Sequence, residues 1–228
     1  MSYEKKVSIV INCLNGEKYL KQCLESILNQ KYRNFEIIFW DNNSQDKTVE
    51  EVEKFPVFCA KHKYNLGKSL SMKTGMNFAL IQKKKYIAYL DADGQHKVKD
   101  LEKICSLVKK KNYDAVLGYR KNLSNLNVKK KYGTRLLEFF FSFLYKRSIK
   151  DIQSGLRVIN TKISKKIDWT SSGITHYFAD AEITCLLCLR KCKIAQVPID
   201  TIISEKYKGM NLLQGLLLLT MLLFWRFR

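Results

Sequence analysis

Two carboxylates stand one residue apart in the stretch Tyr89-Leu90-Asp91-Ala92-Asp93-Gly94-Gln95-His96, directly after an apolar run. Both side chains reach one point only if the backbone turns there, and Gly94 eases that turn. Two such acids repel each other unless a cation lies between them. A hard divalent ion fits, because it takes oxygen ligands and keeps positions open for a diphosphate. Gln95 adds a neutral oxygen ligand. The structural alternative is an Asp that merely caps a helix beginning near Lys97.

The elements that would position these acids are legible as periodicities. Apolar runs at 7–11, 35–40, 57–60, 86–90 and 115–118 read as buried strands, and helical spacing recurs at 17–30, 48–55, 68–81 and 99–110. Ser44 or Asp46 is placed to cap the helix that starts at Thr48. Strands alternating with helices predict a mostly parallel sheet with helices on both faces, and ligands gather at the carboxyl ends of such strands. Asn12 to Asn15, Asp41 to Asn43 and Asp91 to Gln95 all fall on that edge, so three polar clusters converge on one crevice. The second half is less regular: an aromatic-rich helix at 131–145, a loop entering a strand or short helix at 151–160, a helix at 177–191 and a strand at 194–203, where Pro198 suits a sheet edge.

Charge adds a constraint. With 41 Lys+Arg against 21 Asp+Glu the chain carries a formal +20, which calls for an anionic partner such as a nucleic acid, an anionic membrane or a phosphorylated substrate. A nucleic-acid binder should show a basic stripe with interleaved aromatics or a recognisable motif. Neither is present, and the acidic crevice opposes it. The seven cysteines have no framework spacing, and Cys185-Leu186-Leu187-Cys188 lies inside a helical pattern without a second pair, so reduced thiols are expected. The N-terminus leads straight into the first strand with no secretory leader, which predicts a protein on the cytosolic side. The tail at 211–228 is apolar but shorter than the roughly 20 residues a spanning helix needs. Phe224, Trp225 and Phe227 interleave there with Arg226 and Arg228, as aromatic rings and cations do at a membrane interface; a core or oligomer helix is the competing reading.

The motifs combine. NxxNGExYL from Asn12, DNNSxDxT from Asp41, NLGKSLSMKTGMNFAL from Asn65 and LDADGQ from Leu90 occur in an order and spacing that resemble glycosyltransferase family 2 over residues 7 to about 120. Those are inverting enzymes of GT-A fold with nucleotide-sugar donors. The resemblance implies a single GT-A domain over 1–210, with a nucleotide-sugar half at 1–120 and an acceptor half at 121–210; the tail's own pattern adds a membrane-associating helix at 211–228. It implies that Asn12, Leu14, Asn15 and Glu17 line the base and ribose, with Asp41, Asn42 and Ala92 also on the donor. Asn12 stands where the family often has proline, and Asn42 replaces a second Asp. Asp91, Asp93 and Gln95 would hold Mg2+ or Mn2+ against the diphosphate.

Four later elements, Leu90 to His96, Val116 to Arg120, Asp151 to Arg157 and Gln196 to Ile199, are similar to the polyprenyl-phosphate branch typified by dolichyl-phosphate mannose synthases. An acceptor phosphate is already anionic, so positioning cations suffice; the resemblance places Arg120, Lys131, Arg157 and Lys206 there. Arg157 has an alternative, bracing Asp151. The competing acceptor, a sugar hydroxyl, must lose a proton, and Asp180 and Glu182 stand where a carboxylate base would be. Either way the expected enzyme is peripheral on the inner face of a membrane.

Overall fold

In a computed structural model, described here for residues 7–92, 96–121, 128–167, 178–200 and 211–227, the chain forms one seven-stranded sheet covered on both faces. The strands are β1 (Val7–Cys13), β2 (Phe35–Asp41), β3 (Phe58–Lys61), β4 (Tyr86–Asp91), β5 (Ala115–Arg120), β6 (Arg157–Asn160) and β7 (Ile194–Ile199). Their order across the sheet is β3-β2-β1-β4-β6-β5-β7. All pairings are parallel except those of β6, which runs antiparallel between β4 and β5. Pro198 lies on β7, an edge strand, where a missing N–H donor is tolerated.

The helices follow from the alternation of side chains along the strands. Ile9 and Ile11 of β1, with Ala88 and Leu90 of β4, face α1 (Glu17–Leu28) and α4 (Val98–Lys110). Val10 of β1, with Ile87 and Tyr89 of β4, faces α3 (Gly67–Ile81), α5 (Val128–Tyr145), α7 (Ala179–Leu189) and α8 (Leu212–Phe227). Two short helices, α2 (Thr48–Val52) and α6 (Thr161–Ser164), complete the set.

The tail is partly core. Leu218, Leu222 and Trp225 of α8 form a buried stripe at helical spacing. Trp225 meets Phe178 edge-on at 6.5 Å, the Tyr145 hydroxyl donates to the Leu222 carbonyl at 2.8 Å, and Arg226 donates to the Leu144 carbonyl at 3.0 Å. Trp225 therefore leaves the interfacial set expected from the sequence, while Phe224 and Phe227 stay exposed. No helix among the described residues is long and apolar enough to cross a membrane.

Candidate functional site

Because β1, β2, β4 and β5 run the same way, Asn12, Asp41, Asp91 and Arg120 all reach one edge of the sheet. The antiparallel β6 starts at that edge, so the loop Asp151 to Leu156 arrives beside the end of β4. Gly155 allows the closest approach. A Cβ there would lie 2.1 Å from Asp91 Oδ2, so any side chain would displace the carboxylate.

Asp91 is not a helix cap: α4 begins after Lys97 with no side-chain cap, and the carboxylate pairs elsewhere. Lys68 Nζ lies 2.7 Å from Asp91 Oδ1, 3.0 Å from Oδ2 and 2.8 Å from Asp180 Oδ2. His96 Nε2 stands 3.9 Å from Asp91. Burial alone would raise the Asp91 carboxyl, but the Lys68 ammonium, with His96 behind it, holds it well below the usual carboxylate range. Burial alone would lower Lys68, and Asp180 and Asp91 together carry it above the usual lysine range.

Local structure delivers Lys68 to this point. Asn42 donates to Asn65 Oδ1 at 2.7 Å and accepts from the Leu66 N–H at 2.9 Å; Asn65 in turn accepts from the Gly67 N–H at 2.9 Å. Gly67 takes φ 75°, a left-handed conformation suited to glycine, and the chain then enters α3 with Lys68 in its first turn. Lys68 was missed as a site residue in the sequence. Its signal was a lysine directly after an Asn-x-Gly turn at the start of a largely buried helix.

Asp180 stands in the first turn of α7, where a carboxylate suits the helix dipole. Its Oδ1 lies 3.0 Å from Arg157 Nη2, an ion pair out of line for a hydrogen bond. Arg157 is 1% exposed and also donates to the carbonyls of Asp180, at 2.8 Å, and Ser154. The arginine expected at the acceptor phosphate is thus sealed beneath Asp180, out of reach of a ligand. Nor does it brace Asp151: Arg120 does, with Nε and Nη2 donating to that carboxylate at 2.7 and 2.6 Å. Glu182, two residues along the same helix, points away from Asp180 and is fully buried.

The donor-side residues divide. Asn12 lies beside Asp91 in the sheet, and its Oδ1 is buried with no hydrogen-bond partner among the described residues. Leu14 is 44% exposed. Asn15 and Glu17 are spent on the neighbouring loop: Asn15 Oδ1 accepts from the Gln45 N–H at 2.9 Å, and Glu17 Oε2 from the Lys47 N–H at 3.2 Å. Ser44 and Asp46 return the contact, accepting from the Asn15 and Glu17 N–H groups at 2.9 and 3.1 Å. Asp41 is buried and accepts from the N–H groups of Asn43 and Ser44 at 3.1 and 3.0 Å. Asn15, Glu17, Asp41 and Asn42 are thus engaged in holding the walls of the crevice. The Ala92 side chain packs into the core on the α1 and α4 face, which leaves only its backbone for a donor. Asp93, Gln95 and Lys206 lie outside the described residues, as does the Lys131 side chain. Among the described residues, no three His, Cys, Asp or Glu side chains are grouped to hold a metal; the cation that Asp91 and Asp180 share is Lys68.

A mostly parallel sheet of this order, flanked by helices, is a GT-A-like α/β architecture, the fold of the solved glycosyltransferases it resembles. The model of the family described as Glycosyl transferase family 2 matches residues 8–168, well over half the chain, so the protein belongs to that family. It is 28% identical over 235 residues to a UDP-N-acetylglucosamine--dolichyl-phosphate N-acetylglucosaminyltransferase of Methanococcus voltae, covering 93% of this chain and 92% of that one. It is also 28% identical over 218 residues to a dolichyl-phosphate beta-glucosyltransferase of Dictyostelium discoideum, covering 85% and 65%. The fold matches glucosyl-3-phosphoglycerate synthase of Mycobacterium tuberculosis, solved with Mn2+, UDP-glucose and phosphoglyceric acid, at TM-score 0.72 and 13% identity over 97% of this chain and 80% of that one. Against Staphylococcus aureus TarS 1-349 the TM-score is 0.60 at 16% identity, over 84% of this chain and 58% of that one.

Proposed function

We propose that this family 2 glycosyltransferase moves a sugar from a nucleotide diphosphate to a polyprenyl phosphate at a membrane surface. The observation that carries the acceptor is the state of the two acids nearest it. Glu182 is fully buried, and the two oxygens of Asp180 face Lys68 and Arg157 with the side chain 4% exposed. Among the described residues neither is available to take a proton from a hydroxyl, and a phosphate oxygen needs none taken. The dolichyl-phosphate specificity named for two relatives supports the same choice.

In this reading a phosphate oxygen of the lipid attacks the anomeric carbon as the bond to the donor diphosphate breaks, inverting the centre. Asn12, Leu14 and the backbone of Ala92 bound the donor, on walls held by Asn15, Glu17, Asp41 and Asn42. Arg120, fixed by Asp151 at the end of β5, takes the acceptor side with Lys131 and Lys206. Arg157 is reassigned to positioning Asp180. Asp91 and Asp180 already share a cation in Lys68, so their oxygens fit a divalent ion, with Asp93 and Gln95 adjoining in sequence. Bound there, Mg2+ or Mn2+ would neutralise the leaving diphosphate.

The membrane reading gains a second element. Tyr132, Leu136, Phe139, Phe140 and Phe143 share one exposed face of α5, the helix against which α8 packs, and Leu212, Leu213, Leu216, Leu223, Phe224 and Phe227 are exposed on α8. Cations border the aromatics: Lys146 lies 4.7 Å from the Phe143 ring and Arg226 5.8 Å from that of Phe227. The test is incubation with labelled nucleotide sugars and dolichyl or undecaprenyl phosphate, then organic extraction. Label should enter the organic phase with one donor; label transferred only to water-soluble glycans would favour a hydroxyl acceptor.

A further inference from the structure

We propose that Lys68 is a built-in counter-cation that closes Asp91 and Asp180 into a charge-balanced pair and releases Asp91 only when a divalent cation and a nucleotide diphosphate arrive together. The proposal rests on the metal reading above and concerns what the chain does before the donor binds.

Lys68 carries a cation into the first turn of α3, where the helix dipole is positive and the helix itself supplies no acid, so its counter-charges come from Asp91 and Asp180 on other elements. Its three contacts with carboxylate oxygens, between 2.7 and 3.0 Å, match the three protons of an ammonium. These contacts join β4, in the first half of the chain, to α7 in the second.

Charge decides the order of events. Asp91 and Asp180 are balanced by Lys68 and Arg157, two against two. Arg157 is locked in the interior at 1% side-chain exposure, whereas the Lys68 side chain is 27% exposed and has solvent on one side. A divalent ion entering alone would meet the ammonium a few ångströms away and leave the pocket positive. Entering with a diphosphate, it brings its own anion, and Lys68 can release Asp91 while it remains on Asp180. The metal and the nucleotide should therefore bind with positive coupling, each tightening the other by the same factor.

The experiment titrates Mn2+ into the full chain, following free Mn2+ by electron paramagnetic resonance, with and without saturating UDP or GDP, each titration read against the same nucleotide without protein. The parent should bind Mn2+ weakly alone and about tenfold or more tightly with the matching nucleotide. Lys68→Met should bind Mn2+ without nucleotide at least about tenfold more tightly than the parent, and its gain from nucleotide should be smaller than the parent's by about the same factor. Lys68→Arg, which keeps the charge, should behave as the parent. Circular dichroism checks the fold, and Lys68→Gln replaces the Met variant if that chain does not fold. If the neutral variants bind Mn2+ no more tightly than the parent while the parent responds to nucleotide, the Lys68 proposal is overturned and the metal reading stands. If no chain binds Mn2+ even with nucleotide, both fall.

Discussion

Gly155 sets the position of Asp91 by having no side chain. A methyl group at that position would sit 2.1 Å from Asp91 Oδ2, inside any permitted contact, so either the carboxylate or the loop must shift. Gly155→Ala should lower kcat/KM for transfer by on the order of 100-fold, the scale of an ångström-sized misplacement of a reacting group. Thermal unfolding should change far less, because Asp91 stands at a partly open strand end and can move toward solvent. Unchanged turnover would mean that the placement of Asp91 is immaterial. At this scale the sequence supplied the acids but not their partners. Asp91 and Asp180 were legible as candidates; Lys68, which joins them, lies 23 positions from Asp91 in a motif that the resemblance marked without giving the lysine a role. Asn15, Glu17 and Asn42 carry the right chemistry for a donor, yet their acceptor oxygens go to backbone N–H groups of other loops, about thirty or twenty-four residues away, which no local pattern reveals.

Among the elements, β6 departs most from expectation. Apolar periodicity marks a strand but not its direction, and four residues carry little pattern at all. Running antiparallel, β6 brings Ser154, Gly155 and Arg157 to the edge where Asp91 ends, which is why the Asp151 to Arg157 motif belongs to the site. Elsewhere the periods were decisive: strands β1, β2, β4 and β5 and helices α1, α3, α4 and α5 occupy the segments that alternation and helical spacing marked. The tail was legible as a helix but not as a two-faced one, since its buried stripe is answered by Phe178 and Tyr145 from distant segments. Deleting 211–228 would therefore open the core as well as remove an apolar surface. Surface substitutions test membrane binding more cleanly. Phe143→Asp combined with Phe224→Asp, on α5 and α8, should reduce flotation with anionic liposomes at least tenfold, given about 1.5–3 kcal/mol for each apolar side chain taken out of water. Flotation equal to the parent's would place the contact elsewhere.

The molecule as a whole separates two charges. The chain carries a formal +20 overall, while the acids Asp91 and Asp180 meet on Lys68 at the carboxyl ends of the strands. A basic exterior suits an anionic membrane carrying a lipid phosphate, and each near-surface cation contributes on the order of 1 kcal/mol there. The crevice floor, where Lys68 and Arg157 balance Asp91 and Asp180, suits a divalent cation that arrives with a diphosphate. Both requirements meet at Asp91, so transfer by Asp91→Asn is the most direct test of the account. With the matching labelled nucleotide sugar and polyprenyl phosphate, the folded variant should lose on the order of 100-fold or more in kcat, as when a preorganised charge is removed from a transition state. Its liposome flotation should remain that of the parent. Turnover equal to the parent's would contradict the assignment of sugar transfer to this edge of the sheet.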